Sequence, residues 1–307
     1  MHRPSTSSPF DVERCGFRAA ACLAAACFVA VAGCGRPRVA APPADRAAAE
    51  ALRTTLAAAG GGGAAAADAA TVVGTGWATL KGRFVFSGTV GDPKPLVVDK
   101  DTEVCGKADK LFDRSLLVDG SSKGLGSVVV FLRKSSRVKN PVSDTPLVFD
   151  QKNCEFLTQV FAARVGQPVD VRNSDPVGHN TNVAGTSFNQ LIPSGSSTIY
   201  TATAETGMPT TVTCNIHPWM KAYAVFRKDG YVAVSAADGT FEIADLPAGE
   251  PLEFQVWHER AVGANGALGL EKPELKWTPK GRFQIRLEEN ETKDLGTLEV
   301  PAAALGS

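Results

Sequence analysis

From residue 77 onward the chain is a series of short segments in which apolar and polar residues alternate, separated by turns. Alternation with a period of two is typical of half-buried β-strands, and no amphipathic helix of ordinary length interrupts it. The pattern predicts an all-β protein made of β-sandwiches, with its loops clustered at the strand ends. The segments that we interpret as strands are 80–86, 127–132, 156–162, 169–173, 197–203, 210–214 and 222–226.

Residues 1–34 have the features of an export signal. Basic residues precede an apolar run from Ala19 to Ala32 that is too short to span a bilayer comfortably. The run ends in Val31-Ala32-Gly33-Cys34, which resembles the lipobox of bacterial lipoproteins, where the cysteine is diacylated and becomes the N-terminus. We therefore predict a lipid anchor at Cys34 on an exported protein that faces the periplasm or the exterior. The alternative is an ordinary secretory signal that is cleaved nearby.

The composition of the chain bears on two predictions, a tether before the globular part and the absence of nucleic-acid binding. Residues 35–76 are rich in Ala, Gly and Pro and contain too few large apolar side chains to build a core, so we predict a disordered tether there. Over the whole chain 32 Lys and Arg residues balance 32 Asp and Glu residues. Without an excess of positive charge, nucleic-acid binding is not expected.

The cysteines divide into groups with different expected fates. Three of the seven leave with the predicted signal, and Cys34 carries the lipid. Cys105 and Cys154 flank a strand-rich stretch, and an exported chain matures in an oxidising compartment, so we predict a disulfide between them. Cys214 is then unpaired, and an exported free thiol requires another explanation.

The residues around Cys214 provide that explanation. Cys214, His217 and Met220 lie within seven residues, with the spacing C-x2-H-x2-M. Thiolate and thioether are soft ligands that favour copper, and two histidines with one cysteine and a weak axial methionine form a blue-copper site. For the second imidazole we select His179, which follows an alternating strand and a polar turn. We interpret His258 as a surface or hydrogen-bonded histidine outside the copper site.

Each of these residues alone could be ordinary packing or a turn residue, but the set of four in this order favours a metal centre. The chain has too few histidines for an enzyme with several coppers, and one loop cysteine is too few for a binuclear copper site. Methionine is not a usual zinc ligand. Met208 is a rival axial ligand that we interpret as packing. The sequence therefore predicts one copper ion, Cu(I) or Cu(II), in an electron-transfer protein that is not an enzyme.

The motif resembles that of the cupredoxin family, whose members bind one copper through a histidine followed by Asn and a later Cys-His-Met loop. His179-Asn180 and an amicyanin/plastocyanin-like ligand loop match that pattern. The resemblance implies a Greek-key β-sandwich. It also implies that His217 is the exposed edge through which electrons pass, with Pro218 and Trp219 as the neighbouring contact surface.

One position departs from the family pattern. Amicyanin-like and plastocyanin-like loops have proline directly before the loop histidine, whereas this chain has Ile216, which keeps its N–H. We therefore expect Ile216, together with Asn180, among the residues that support the ligands. A second backbone hydrogen bond to the Cys214 thiolate would stabilise Cu(I) and raise the reduction potential.

A second module follows the copper motif. Residues 238–249 contain an Asp-Gly turn, a Phe-containing segment and Leu-Pro-x-Gly, which resembles the carboxypeptidase-regulatory-like β-sandwich. The Gly-containing and Val-rich strands of that module match residues far upstream, at 81–84 and 128–131. We therefore interpret 77–140 and 229–303 as one small sandwich interrupted by a cupredoxin domain at 141–228. Two consecutive domains, with the upstream strands completing the cupredoxin barrel, are the alternative.

The sequence supports one leading function and two others. The leading one is a lipid-anchored carrier of single electrons between periplasmic redox proteins, such as a dehydrogenase, a c-type cytochrome or an oxidase. The first alternative is an extracytoplasmic carbohydrate-binding or adhesion protein whose cupredoxin-like domain is structural. The second is copper storage or delivery, but three Met and four His residues are few for that role.

Overall fold

The computed structural model describes Ala47, residues 74–107 and residues 111–307. The chain divides into two compact units, Met1–Ala64 and Ala65–Ser307, and the description below concerns the second. The predicted signal, the predicted lipidation site Cys34 and most of the predicted tether lie outside the described residues. Within the described ranges, every helix falls short of the length and apolar character that a bilayer crossing requires.

The regular secondary structure of the described residues is almost entirely β-strand, which confirms the predicted all-β fold class. The strands are β1 (Trp77–Phe86), β2 (Val129–Leu132), β3 (Leu147–Lys152), β4 (Glu155–Phe156), β5 (Val160–Arg164), β6 (Pro168–Asn173), β7 (His179–Val183), β8 (Asn189–Ile192), β9 (Ser197–Thr201), β10 (Thr210–Thr213), β11 (Lys221–Arg227), β12 (Val232–Val234), β13 (Thr240–Pro247), β14 (Pro251–Trp257), β15 (Arg282–Arg286) and β16 (Thr292–Val300). Besides one short α-helix, α1 (Thr102–Cys105), the described chain has 3-10 helices at Ala264–Gly266, Pro273–Leu275 and Ala302–Leu305.

Two of the sheets contain strands from both ends of the described chain. One has the order β13-β1-β16 and the other β12-β2-β14-β15. Every second residue of β1 is buried, as expected of a strand with one face on a core. In that core Phe84 stacks on Phe241 with ring centroids 5.2 Å apart, and Phe254 stacks on Phe283 at 5.0 Å. Burial of each such ring contributes about 1.5–3 kcal/mol.

The other two sheets contain the strands between residues 147 and 227, and they carry the predicted copper ligands. Their orders are β5-β11-β10-β7-β8 and β4-β3-β6-β9. Phe149, Phe161 and Phe226 belong to the core between them, with ring centroids 4.7 Å apart for the first pair and 6.1 Å for the second. The module boundaries near 141 and 228, and the resemblance of the flanking module to a carboxypeptidase-regulatory-like sandwich, stay predictions.

The predicted strand 156–162 is wrong, because this stretch is two strands in different sheets. β4 ends at Phe156 and pairs with β3, whereas β5 begins at Val160 and runs parallel to β11. Between them, the Leu157 N–H donates to the Asp150 carbonyl (3.0 Å) as the chain crosses from one sheet to the other. Apolar residues lie on both sides of the polar pair Thr158 and Gln159, and the prediction joined the two apolar stretches into one strand.

A buried arginine ties the ligand-bearing sheets to the flanking ones. Arg227, at the end of β11, donates to the carbonyls of Leu132 (3.0 Å) and Arg133 (3.2 Å). Its guanidinium lies 4.9 Å from the ring centroid of Phe131 and 3.8 Å from the Asp229 carboxylate. A buried cation of this kind needs such partners, because its desolvation is otherwise costly.

Candidate metal centre

The loop between β10 and β11 carries three of the four predicted ligands. The strands flank it as an antiparallel pair in which Thr213 faces Lys221. The Cys214 N–H donates to the Met220 carbonyl (3.3 Å), and the Met220 N–H donates to the His217 carbonyl (2.9 Å). These bonds close residues 214–220 into a compact turn between the two paired strands.

The fold brings His179, Cys214 and His217 together. Their ligand atoms all lie within 4.8 Å of one another, and all three side chains are buried. The Nδ1 atoms of the two histidines are 2.9 Å apart, and the Cys214 Sγ is 3.8 Å from Nδ1 of His217. Met220 is buried in the same apolar cluster as Cys214, whereas the rival Met208 packs against a different cluster. Two imidazoles and one thiol therefore converge on one point.

Two backbone N–H groups donate to the sulfur of Cys214. The Asn180 N–H lies 3.3 Å from Sγ and the His217 N–H lies 3.4 Å from it. The expected role of Ile216 is therefore wrong, since the second donor is His217; Ile216 packs against the apolar cluster. In a turn that starts at Cys214, the N–H of the third following residue points back toward the first side chain, as it does at a helix N-cap.

The Asn180 side chain fastens the ligand loop to the neighbouring strand. Its Oδ1 accepts the N–H of Asn215 at 3.0 Å. Its Nδ2 donates to Asn189 Oδ1 (2.6 Å) and to the Gln190 carbonyl (3.2 Å) on β8. The predicted supporting role of Asn180 thus has a geometric basis, because it contacts the sulfur through its backbone and the loop through its side chain.

A buried carboxylate outside the predicted set of site residues holds His179. The Nε2 of His179 is 2.7 Å from Asp175 Oδ2. The same carboxylate accepts the N–H groups of Asn153 (2.6 Å) and Cys154 (2.7 Å). With Nε2–H donating to Asp175, Nδ1 keeps its lone pair for a metal. Burial lowers the pKa of His179, although the bond to Asp175 acts in the opposite direction.

His217 is covered, so the expectation that it forms an exposed edge is wrong. Its side chain is 0% exposed. Its Nε2 lies 2.8 Å from Asp101 Oδ2 and 3.9 Å from Cys105 Sγ. Asp101 and Cys105 belong to the segment around α1, which precedes the predicted copper-binding domain in sequence. The resemblance of the ligand motif to the cupredoxins carries no information about a segment elsewhere in the chain that covers His217.

Cys105 and Cys154 form a disulfide with a Cα–Cα distance of 5.4 Å. Trp219 lies beside it, because its Nε1–H donates to the Cys154 carbonyl (3.0 Å). The indole packs against the His217 imidazole with ring centroids 5.1 Å apart. Pro218 is exposed and Trp219 is partly exposed, so these two residues are the surface part of the loop.

His258 lies outside this cluster. It is buried, and its Nδ1 accepts the Arg260 N–H at 3.2 Å. Burial, with a smaller contribution from the Arg260 charge, lowers its pKa to about 4. Among the described residues, His179 and His217 are therefore the imidazoles that converge with Cys214.

The donor set fits a copper ion. The Nε2 atom of each histidine is hydrogen-bonded to a carboxylate, so the Nδ1 atom of each is the nitrogen placed to coordinate a metal. These atoms face the Cys214 sulfur, which accepts two backbone N–H bonds. Two imidazoles and one thiolate are the strong ligands of a blue-copper site.

The sequence matches no known protein family and no curated protein. Among solved structures, the chain is similar to a reduced Cu(I) mutant of amicyanin, at 19% identity over 32% of this chain and 98% of that chain, with a TM-score of 0.25. An oxidised amicyanin mutant is 20% identical, with the same coverage and TM-score. The copper-containing nitrite reductase NirK from Thermus scotoductus SA-01 is 19% identical over 30% of this chain, with a TM-score of 0.25, and the chain spans 25% of that protein.

Proposed function

We propose that this protein is a mononuclear blue-copper electron carrier. The observation that carries the proposal is the buried convergence of His179, Cys214 and His217, whose ligand atoms lie within 4.8 Å of one another. Met220, buried in the same cluster as Cys214, supplies the weak axial thioether. A copper ion held by these residues would alternate between Cu(I) and Cu(II) and so carry one electron.

The surrounding residues suit electron transfer rather than turnover of a bound substrate. The three strong ligands are buried, and Asp175 and Asp101 occupy the outer nitrogens of the two imidazoles. The set is complete without water, so no position is left for a substrate. Because paired strands flank the ligand loop and His179 begins β7, a copper site held there would change little between oxidation states. We therefore infer that the protein is not an enzyme.

The surface through which electrons pass is proposed to be Pro218 and Trp219. Trp219 contacts His217 on one side and lines a cavity of about 430 Å³ on the other. Pro218, Phe112 and Leu96 line the same cavity together with several charged residues, which gives a partner a mixed apolar and charged contact area next to the buried imidazole. His217 itself is not part of this surface, because it is buried.

The partner is proposed to be a periplasmic redox protein, such as a dehydrogenase, a c-type cytochrome or an oxidase. The support is the predicted export signal with a lipidated cysteine at 34, followed by the predicted tether at 35–76. A tether of that length would let the globular part reach partners beside the membrane that holds the lipid.

The test is the optical and paramagnetic resonance spectrum of the copper-loaded protein. We expect an intense blue band from charge transfer between the thiolate and Cu(II), a narrow parallel hyperfine splitting and a reversible one-electron couple. Cys214→Ser should abolish the blue band, and His179→Ala should do the same. His258→Asn is the matched control and should keep the colour, because His258 lies outside the cluster. A colourless protein with tetragonal Cu(II) would contradict the proposal.

A further inference from the structure

We propose that Asp101 is a positioning residue of the metal centre, an inference that rests on the proposed function. Asp101 lies outside the predicted copper-binding domain at 141–228. It precedes α1 and is 116 residues from His217 in sequence. Its Oδ2 lies 2.8 Å from Nε2 of His217, the outer nitrogen of a candidate ligand.

The backbone around Asp101 directs its carboxylate toward His217. Asp101 has left-handed angles, with φ 46° and ψ 40°, and its carbonyl accepts the N–H groups of Val104 and Cys105, both at 2.8 Å. Its side chain makes no capping bond to the helix. An acid directly before a helix usually caps it through its side chain, and Asp101 does not. Its carboxylate instead forms the hydrogen bond to His217.

The disulfide links this contact to the corresponding one at His179. Cys105 ends α1, and its partner Cys154 donates its N–H to Asp175, which in turn holds His179. Both imidazoles thus have a carboxylate on the outer nitrogen, and both carboxylates are positioned by residues at the same crosslink. Carboxylates in this position fix the tautomer and the orientation of a ligand histidine and increase its basicity.

Three consequences follow for Asp101. As the hydrogen-bond partner of Nε2, it orients the His217 imidazole so that Nδ1 faces the candidate metal position. It covers the imidazole edge, together with the Cys105 sulfur 3.9 Å from Nε2. Its negative charge beside the site favours Cu(II) over Cu(I) and lowers the reduction potential, opposing the two N–H bonds to the thiolate.

The experiment compares two variants of Asp101 with a matched control. Asp101→Asn removes the charge but keeps an acceptor, and Asp101→Gly removes the acceptor at a left-handed position that glycine tolerates. Asp99→Asn is the control, because Asp99 is an exposed acid in the same segment. This substitution removes the same charge as Asp101→Asn. The variants are made in the full chain, and Cu(II) affinity, reduction potential and the imidazole N–H resonance of His217 in the copper-free protein are measured.

We expect Asp101→Gly to lower Cu(II) affinity about 10–100-fold, the usual effect of losing such a partner, and to abolish the slowly exchanging N–H resonance of His217. Asp101→Asn should raise the reduction potential above that of Asp99→Asn. If both Asp101 variants match Asp99→Asn in affinity, potential and resonance, the inference is wrong. If the wild-type protein is colourless with copper, the electron-carrier function fails instead, and the affinity and the copper-free resonance still decide the role of Asp101.

Discussion

Removal of the Cys105–Cys154 disulfide should weaken both the fold and the metal centre. The crosslink joins residues 49 positions apart. The chain-entropy estimate for a loop of that length is about 4 kcal/mol of stabilisation at 25 °C. The double variant Cys105→Ala with Cys154→Ala avoids a new free thiol. Its cost in unfolding free energy should be near that value, since both sulfurs are buried and the alanines leave the backbone N–H groups in place.

The assay is guanidinium unfolding of the copper-free proteins, followed by tryptophan fluorescence and far-ultraviolet circular dichroism, with Asp99→Asn as the unchanged reference. A parallel titration with Cu(II) tests the second expectation, that the double variant binds copper more weakly because Asp101 and Asp175 lose their common support. A destabilisation below about 1 kcal/mol, well under the usual range for a native disulfide, would refute the first argument. Equal Cu(II) affinity of the two proteins would refute the second.

Three further outcomes are expected. Burial, with a contribution from Arg260, holds the pKa of His258 at about 4 in the folded protein. Between pH 6.5 and 4 only the unfolded chain therefore protonates this imidazole, and the free energy of unfolding should fall by about 3 kcal/mol over that range. His258→Asn should reduce this pH dependence, measured by urea unfolding. Arg227→Met should cost about 3–5 kcal/mol, measured the same way, because Asp229 is then buried without its cation. Phe149→Ala should cost about 3–5 kcal/mol in thermal or urea unfolding while the blue spectrum persists, because the ring contacts of Phe149 are with Phe156 and Phe161, which are not candidate ligands.

The ligand loop could be predicted from sequence because its chemistry is local. Cys214, His217 and Met220 lie within seven residues, and the few histidines in the chain left His179 as the natural fourth member. The strands were predictable for a similar reason, since alternation reports burial residue by residue. It does not report which sheet a strand joins, and the crossing between Phe156 and Val160 was missed for that reason.

The residues that support the ligands were not predictable to the same extent. Asp101 is one of many acids in the chain, and only the folded arrangement brings it to His217. Asp175 lies four residues before His179, so a carboxylate at that spacing was a signal that could have been used. The burial of His217 depends on a covering segment that is distant in sequence. The choice of His217 over Ile216 as donor depends on the exact path of the turn.

The position of the disulfide also bears on how the protein matures. The backbone N–H groups of Cys105 and Cys154 donate to Asp101 and Asp175, so we expect the histidines to reach their final orientation in the oxidised chain. We therefore expect thiol oxidation to precede copper uptake. Before oxidation the described residues carry three thiols, those of Cys105, Cys154 and Cys214, and a wrong pairing would consume the proposed copper ligand Cys214. Cys214 is 2% exposed on a loop closed by its own hydrogen bonds, so early folding of the strand pair β10 and β11 would protect it while the other two cysteines join.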